Sequence, residues 1–171
     1  MQKIILSGKY GSIIDNYALV DDEDFERINK HKWYAHKQNK SGKIYAQRGI
    51  YIGGGRDNAI QITGHMSRLI LNCPADKFVD HINGNTLDNQ KNNIRISTRS
   101  QNNCNRIGWG KTSKYKGVFF DKESGKFRCV LKINNTTIQL GRFINEEDAA
   151  LAYNNEAIKQ HGEFAVLNII L

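Results

Sequence analysis

The chain has 171 residues, room for one or two small domains, with 39% hydrophobic and 25% charged residues. That composition supports a buried core and excludes fibrous, disordered and membrane-embedded classes; no apolar run approaches the ~20 residues of a spanning helix, and no secretion signal is readable, so a cytoplasmic location is expected. Twenty-five Lys and Arg against 17 Asp and Glu leave a formal charge of +8, which points to a polyanionic partner.

From the N-terminus, short apolar runs at 4–6, 17–20, 33–35, 44–46 and 60–62 alternate with turn residues and predict strands. The acidic run 21–24 ahead of Phe25 and Ile28 reads as the capped start of a helix, with carboxylates favoured by the helix dipole. The Gly-rich 53–55 lacks the Lys and Ser/Thr of a phosphate cradle and reads as a hairpin turn. A short helix at 67–71 should end at Asn72, Cys73 and Pro74. Residues 78–81 and 93–97 read as strands flanking a polar loop, and Thr98 with Gln101 forms a capping-box signature that starts a helix near Arg99, giving a ββα unit. Three further strands, 117–120, 126–133 and 136–140, are joined by turns at 121–125 and at Asn134 and Asn135; a helix capped by Asn145 and ended by Gly162 follows, with a stripe of Ala149, Ala150, Tyr153 and Ala157. The expected fold class is α+β: a β-rich N-terminal region leading into the ββα core, then a three-stranded antiparallel sheet packed on one helix.

Charge is concentrated in the middle of the chain. Residues 89–132 carry eleven Lys or Arg against Asp121 and Glu123, and the rest of the sequence is close to neutral. Alternation along 126–133 puts Phe127, Cys129, Leu131 and Ile133 on one face and Lys126, Arg128, Val130 and Lys132 on the other. The first face packs on the helix, so the second is an outward cationic surface of the kind that contacts phosphates. Three Cys at wide spacing, Cys73, Cys104 and Cys129, fit neither a disulfide framework nor a structural zinc site.

Chemistry is expected from the segment that starts at Asp80 and His81 and ends at Asn102. Phosphodiester hydrolysis needs a base for water and a cation on the scissile phosphate. A histidine with an ordinary pKa of about 6.5 can be that base. Asp80 and Asn102 offer the hard oxygen atoms that Mg²⁺ accepts. Adjacent strand residues point to opposite faces, so Asp80 and His81 can share a site only where the strand ends.

The run Val79, Asp80, His81, Ile82, Asn83, Gly84, Asn85, with Leu87, Asp88, Asn89 and then Asn93, Ile94, Arg95, resembles the HNH (His-Me finger) endonuclease motif of phage intron-encoded and freestanding homing enzymes. The resemblance implies His81 as general base, Asp80 and Asn102 as ligands of a divalent metal (Mg²⁺ first, Mn²⁺ as a substitute), and Asn93 as the residue that ties the two strands together. It continues more loosely upstream through 18–24, 32–35 and 68–70. Many relatives carry a His directly before Arg68, where this chain has Ser67, with His65 two positions earlier.

Residues 113–168 in turn resemble the APETALA2-type DNA-binding domain of plant ethylene-response factors, carried by 115–118, 125–127, 140–143, 147–153 and the ending 162–168. In that family the sheet lies in the DNA major groove. By position, the implied DNA-facing residues are Lys116, Phe119, Lys126, Lys132, Thr137 and Gln139, with Arg128 on the same face. Arg99, Arg106 and Lys111 extend the basic path upstream. The expected organisation is an endonuclease domain over 1–105 with its core at about 76–105, a basic linker over 106–112, and a DNA-binding domain over 113–171. The expected activity is a metal-dependent DNA endonuclease of homing or mobile-element type, monomeric on double-stranded DNA in a bacterial or phage-infected cell. The alternatives are a non-catalytic DNA-binding regulator that keeps the HNH unit as scaffold, and an RNA-directed protein.

Overall fold

The structure, a computed structural model, describes residues 1–10, 16–54, 60–104, 112–133 and 136–170. It is a mixed α+β fold that divides into two units, Met1–Ser97 and Thr98–Leu171. No helix among the described residues is long and apolar enough to cross a membrane.

Among the described residues the first unit contains seven strands, β1 (Gln2–Ser7), β2 (Tyr17–Val20), β3 (Trp33–Lys37), β4 (Ile44–Gly53), β5 (Ile60–His65), β6 (Phe78–His81) and β7 (Ile94–Ser97), with helices α1 (Asp22–Asn29) and α2 (Met66–Ile70). Five of the strands form one sheet in the order β2-β1-β3-β4-β5, in which only the β1–β3 pair is parallel. Strands β6 and β7 form a separate antiparallel ribbon in which Asp80 opposes Arg95 and His81 opposes Ile94. Alternation buries Ile4 and Leu6 of β1, Ala18 and Val20 of β2, and Trp33 and Ala35 of β3 in one core with Ile28, Met66, Ile70 and Ile94. Trp33 is 1% exposed, a burial that contributes about 2–3 kcal/mol. Its indole N–H donates to the Ile28 carbonyl at 2.9 Å, so the ring is buried without an unmet donor.

Two details depart from the sequence reading. Strand β4 runs ten residues to Gly53, well beyond 44–46, because Ile50, Tyr51 and Gly53 continue the pairing with β5, with a register shift at Ile52. Asp21 occupies the N-cap of α1 in extended backbone but makes no side-chain cap hydrogen bond; its carboxylate is used elsewhere. Asp22, Glu23 and Asp24 do fill the first turn, where the helix dipole favours them.

The second unit begins with α3 (Arg99–Cys104) and continues with β8 (Val118–Asp121), β9 (Lys126–Ile133), β10 (Thr136–Phe143) and α4 (Glu146–His161), closed by a 3₁₀ turn at Gly162–Phe164. The capping box forms as read: Thr98 N–H donates to Gln101 Oε1 at 2.8 Å, and Gln101 N–H donates to Thr98 Oγ1 at 3.3 Å. Helix α3 packs near the 3₁₀ turn, and so groups with the second unit rather than with the ribbon that precedes it in sequence. The three strands are antiparallel in the order β10-β9-β8, and α4 covers one face. Cys129, Leu131 and Val118 meet Ala149, Ala150, Tyr153 and Ala157 there, with Phe127 and Ile133 packed against them. The Asn134 and Asn135 turn and all of the expected 106–112 linker except Thr112 lie outside the described residues.

The last residues are clamped by amides. Lys116 N–H donates to Asn168 Oδ1 at 2.7 Å, and Asn168 Nδ2 donates back to the Lys116 carbonyl at 3.1 Å. Asn154 of α4 pairs with the Asn168 backbone in the same reciprocal way, at 2.7 and 2.9 Å. Gly117, at φ +77, lies where a Cβ would strike the Tyr153 ring and come within 2.6 Å of the Val130 carbonyl, so only glycine fits.

Candidate active site

Strand β6 ends at His81, so the chain leaves the ribbon directly after the Asp80 and His81 pair. Both are buried, at 3% and 6% exposure. The loop that follows is a web of short amides. Gly84 turns the chain at φ +76. Asn83 Oδ1 accepts from Asn85 N–H at 2.8 Å, Asn85 Oδ1 accepts from Leu87 N–H at 3.1 Å, and Asn83 Nδ2 donates to Asp88 Oδ2 at 2.9 Å. Short Asn and Asp side chains reach their own neighbouring backbone, and so hold a loop that has no ladder partners. Asn93 closes the web from the far side: its Oδ1 accepts from Asn83 N–H at 3.0 Å and its Nδ2 donates to the Asp88 carbonyl at 2.8 Å. Thr86 adds a hydroxyl bond to the Ile44 carbonyl on β4.

The same web orients His81. Asn89 Nδ2 donates to the Leu87 carbonyl at 3.2 Å, which fixes the amide and turns Oδ1 toward His81 Nε2, 3.3 Å away. An oxygen at that position selects the Nε2–H tautomer and places the lone pair of the neutral ring on Nδ1. Burial pushes the His81 imidazole below its ordinary value, against the opposing pull of Asn89, Asp80 and Asp88. The ring is therefore held in its neutral, proton-accepting form.

Two groups that the sequence did not connect to His81 join it. The Tyr45 ring on β4 makes an edge contact with His81 at 6.4 Å between centroids, and with His65 at 5.7 Å. His65, at the end of β5, lies 3.3 Å from Gln47 Nε2, and burial lowers its pKa as well. His65 thus stands on the other side of Tyr45 from the proposed base, while Ser67, two residues on, is buried in α2. No local pattern announced Tyr45; Asn89 was visible only as part of the loop motif.

Asp80 is committed on one side. Arg95, its cross-strand neighbour, donates to Asp80 Oδ2 from Nε at 3.0 Å and from Nη2 at 2.9 Å. Arg95 gives the buried carboxylate a two-point partner, and removing the Arg alone would leave that group buried without it. A buried carboxylate is a hard oxygen donor of the kind Mg²⁺ or Mn²⁺ accepts, with water completing the shell. Among the described residues no three His, Cys, Asp or Glu converge as a metal cluster. Asn102 is carried by α3 in the second unit, where it is half-buried.

The expected nucleic-acid contacts fall on the second unit. Lys126, Arg128 and Lys132 are exposed on the face of β9 away from α4, with Phe119 opposite Arg128 and Thr137 opposite Lys132 in register. Arg128 lies 5.9 Å from the Phe119 centroid, and Gln139 faces outward opposite Val130. Arg142, absent from the sequence reading, stands opposite Arg128 and adds a fourth cation to this face; the signal was its register two strands across from Phe119. Lys116 is placed differently: its ammonium lies 5.9 Å over the ring of Tyr153 on α4, on the helix side of the sheet. Lys116 precedes β8 in a turn that bends at Gly117, φ +77, so strand alternation does not set its side. Arg99 is exposed on α3, and Arg106 and Lys111 lie outside the described residues.

Comparison with known proteins agrees with this geometry. Residues 72–104, which span β6, the amide-rich loop, β7 and α3, match the HNH endonuclease family profile. An uncharacterised HNH endonuclease of Acanthamoeba polyphaga mimivirus is 32% identical over 159 residues, covering 90% of this chain and 75% of the relative. That alignment is too long to stop at the motif and runs through most of both units. With its buried His at the end of a strand, its amide-rich loop and this likeness along nearly its whole length, the chain belongs to the HNH endonuclease family.

Proposed function

We propose that this protein is a metal-dependent DNA endonuclease of the homing or mobile-element kind, in which His81 activates water for attack on a phosphodiester. The observation that carries this reading is the His81–Asn89 contact, in which a buried Asn89 Oδ1 faces His81 Nε2 at 3.3 Å and so orients the imidazole with its lone pair on Nδ1. In this reading His81 Nδ1 takes the proton from the attacking water as the bond to phosphorus forms, and Asn89 accepts the hydrogen bond from the Nε2–H of the resulting imidazolium. Asp80 would supply a hard carboxylate oxygen to a divalent cation. When bound, that ion neutralises the scissile phosphate and the developing charge on the leaving oxygen. Asn93 keeps the loop closed and so keeps Asn89 on His81.

The outward face of β8, β9 and β10 supplies the grip on duplex DNA. Lys126, Arg128, Lys132 and Arg142 meet phosphates, and Phe119, Thr137 and Gln139 meet base edges in the major groove. The likeness of 113–168 to the APETALA2-type domain supports this assignment, with an endonuclease domain over 1–105, a linker over 106–112 and a monomer acting on DNA in the cytoplasm. The experiment is incubation of the purified chain with supercoiled plasmid in Mg²⁺, in Mn²⁺ and in chelator. The expected result is nicked or linear product in either metal and none in chelator; equal cleavage in chelator contradicts the metal requirement, and intact plasmid in both metals contradicts the endonuclease.

A further inference from the structure

The residue at the N-cap of α1 gives up its cap. Asp21 has the extended backbone of an N-cap residue, φ -73 and ψ 155, yet its carboxylate bonds none of the helix N–H groups. A side-chain cap stabilises a helix by about 1 kcal/mol, so turning away needs a compensating contact. That contact lies seventy residues on: Asp21 Oδ2 accepts from the Lys91 backbone N–H at 2.7 Å, and Oδ1 accepts from Gln90 Nε2 at 3.1 Å. Both donors immediately follow Asn89, the residue whose Oδ1 faces His81 Nε2.

The surroundings bind the same short segment. Leu19 N–H donates to the Leu87 carbonyl at 2.8 Å, and Asn89 N–H donates to the Leu19 carbonyl at 2.8 Å, so β2 grips the loop on either side of Asp88. The Lys91 ammonium reaches Glu23 at 2.5 Å and the buried Asp24 at 3.2 Å. Burial would raise the Asp24 carboxyl, but the hydrogen bonds from Arg27 and Lys91 outweigh it and hold the pKa below its usual value. The start of α1 and the end of β2 together form a fixed seat for residues 87–91. The Lys91 N–H is a backbone group, so its direction sets the path of the chain itself; a carboxylate on it constrains Asn89 more tightly than a side-chain pair could.

We propose that Asp21 is a positioning residue for His81: by holding the Lys91 N–H and the Gln90 amide, it fixes Asn89 against His81 Nε2 and so keeps the histidine in the tautomer that presents Nδ1 to water. This rests on the reading of His81 as the base. It gives the acidic run 21–24 a part in the chemistry, beyond its effect on the helix dipole.

The test compares the full chain as wild type, Asp21→Ala, Asp21→Asn and Asp22→Asn, the last an adjacent acid that pairs with the N-terminal amine and Gln2 instead of the loop. Three quantities are read: steady-state cleavage of plasmid in Mg²⁺, DNA affinity, and the His81 tautomer from ¹⁵N-histidine NMR. The proposal expects Asp21→Ala to lower kcat about tenfold or more, with KM and DNA affinity held within about twofold, as for other residues that orient a functional group from behind. Asp21→Asn retains an oxygen for the Lys91 N–H and should recover kcat to within about threefold of wild type. Asp22→Asn should leave kcat unchanged. The His81 resonances should report Nε2–H in wild type and Asp21→Asn, and a tautomer mixture in Asp21→Ala. Wild-type kcat in Asp21→Ala, or a loss equal in Asp21→Asn, overturns the proposal. Should Asp21→Ala fail to fold, Asp21→Gly, which an N-cap tolerates, takes its place with the same expectations. If wild type cleaves nothing, the nuclease reading falls, and the NMR comparison alone decides the coupling: an unchanged tautomer in Asp21→Ala overturns it.

Discussion

His65 and His81 flank one tyrosine, and burial lowers the pKa of both imidazoles. For His65 the consequence is a stability slope. Its unfolded pKa is about 6.5, and its folded value lies lower because burial, Arg68, His36 and His81 all oppose protonation. As pH falls below about 6.5 the unfolded chain takes up a proton that the folded one refuses, so folding stability is complete above that pH and declines on acidification until the folded pKa is passed. The expected outcome is a melting temperature that drops between pH 7 and pH 5, with a shallower drop in His65→Gln. An unchanged slope in that variant would mean that His65 titrates normally. Such coupling was not legible in the sequence, since Tyr45 and His65 come to His81 from different strands and no short-range spacing relates them. The strand end at His81 was legible, because the Asn-Gly that follows Ile82 turns the chain out of the ribbon.

Among the elements, those with a strong local rule were readable: Thr98 and Gln101 make the capping box they spell, and the alternation in β9 separates Lys126, Arg128 and Lys132 from Cys129 and Leu131 as the pleat requires. Elements governed by distant partners were not. Asp21 looks like a cap and serves a loop seventy residues away. Asn145 likewise makes no cap bond and donates to Asp148 Oδ2 at 3.0 Å. Strand β4 outruns its local pattern because β5 pairs with it. The turn before β8 approaches α4 closely at Gly117, where positive φ and the Tyr153 ring both exclude a side chain. Gly117→Ala should destabilise the chain by about 3 kcal/mol through backbone strain and overpacking, read as a loss of denaturation midpoint. A change below about 0.5 kcal/mol, the range of an ordinary surface substitution, would mean that the helix and sheet are not packed this closely.

Over the whole molecule, the +8 charge resolves into a run that begins at the ribbon of β6 and β7 and ends on the outward face of the second unit's sheet. Its electrostatic role has a measurable signature. Replacing Lys126, Arg128 and Lys132 together by Ala should weaken DNA binding and lower the slope of log affinity against log salt by about two to three. An unchanged slope would remove this face from the DNA path. The central claim is that His81 is the base of a hydrolytic site, and the direct measurement is cleavage and binding of the same duplex DNA by wild type and His81→Ala in Mg²⁺. The account predicts that the substitution lowers the cleavage rate by about a thousandfold, the order expected for a lost general base, while affinity for DNA stays at the wild-type value. Cleavage by His81→Ala at the wild-type rate would contradict it.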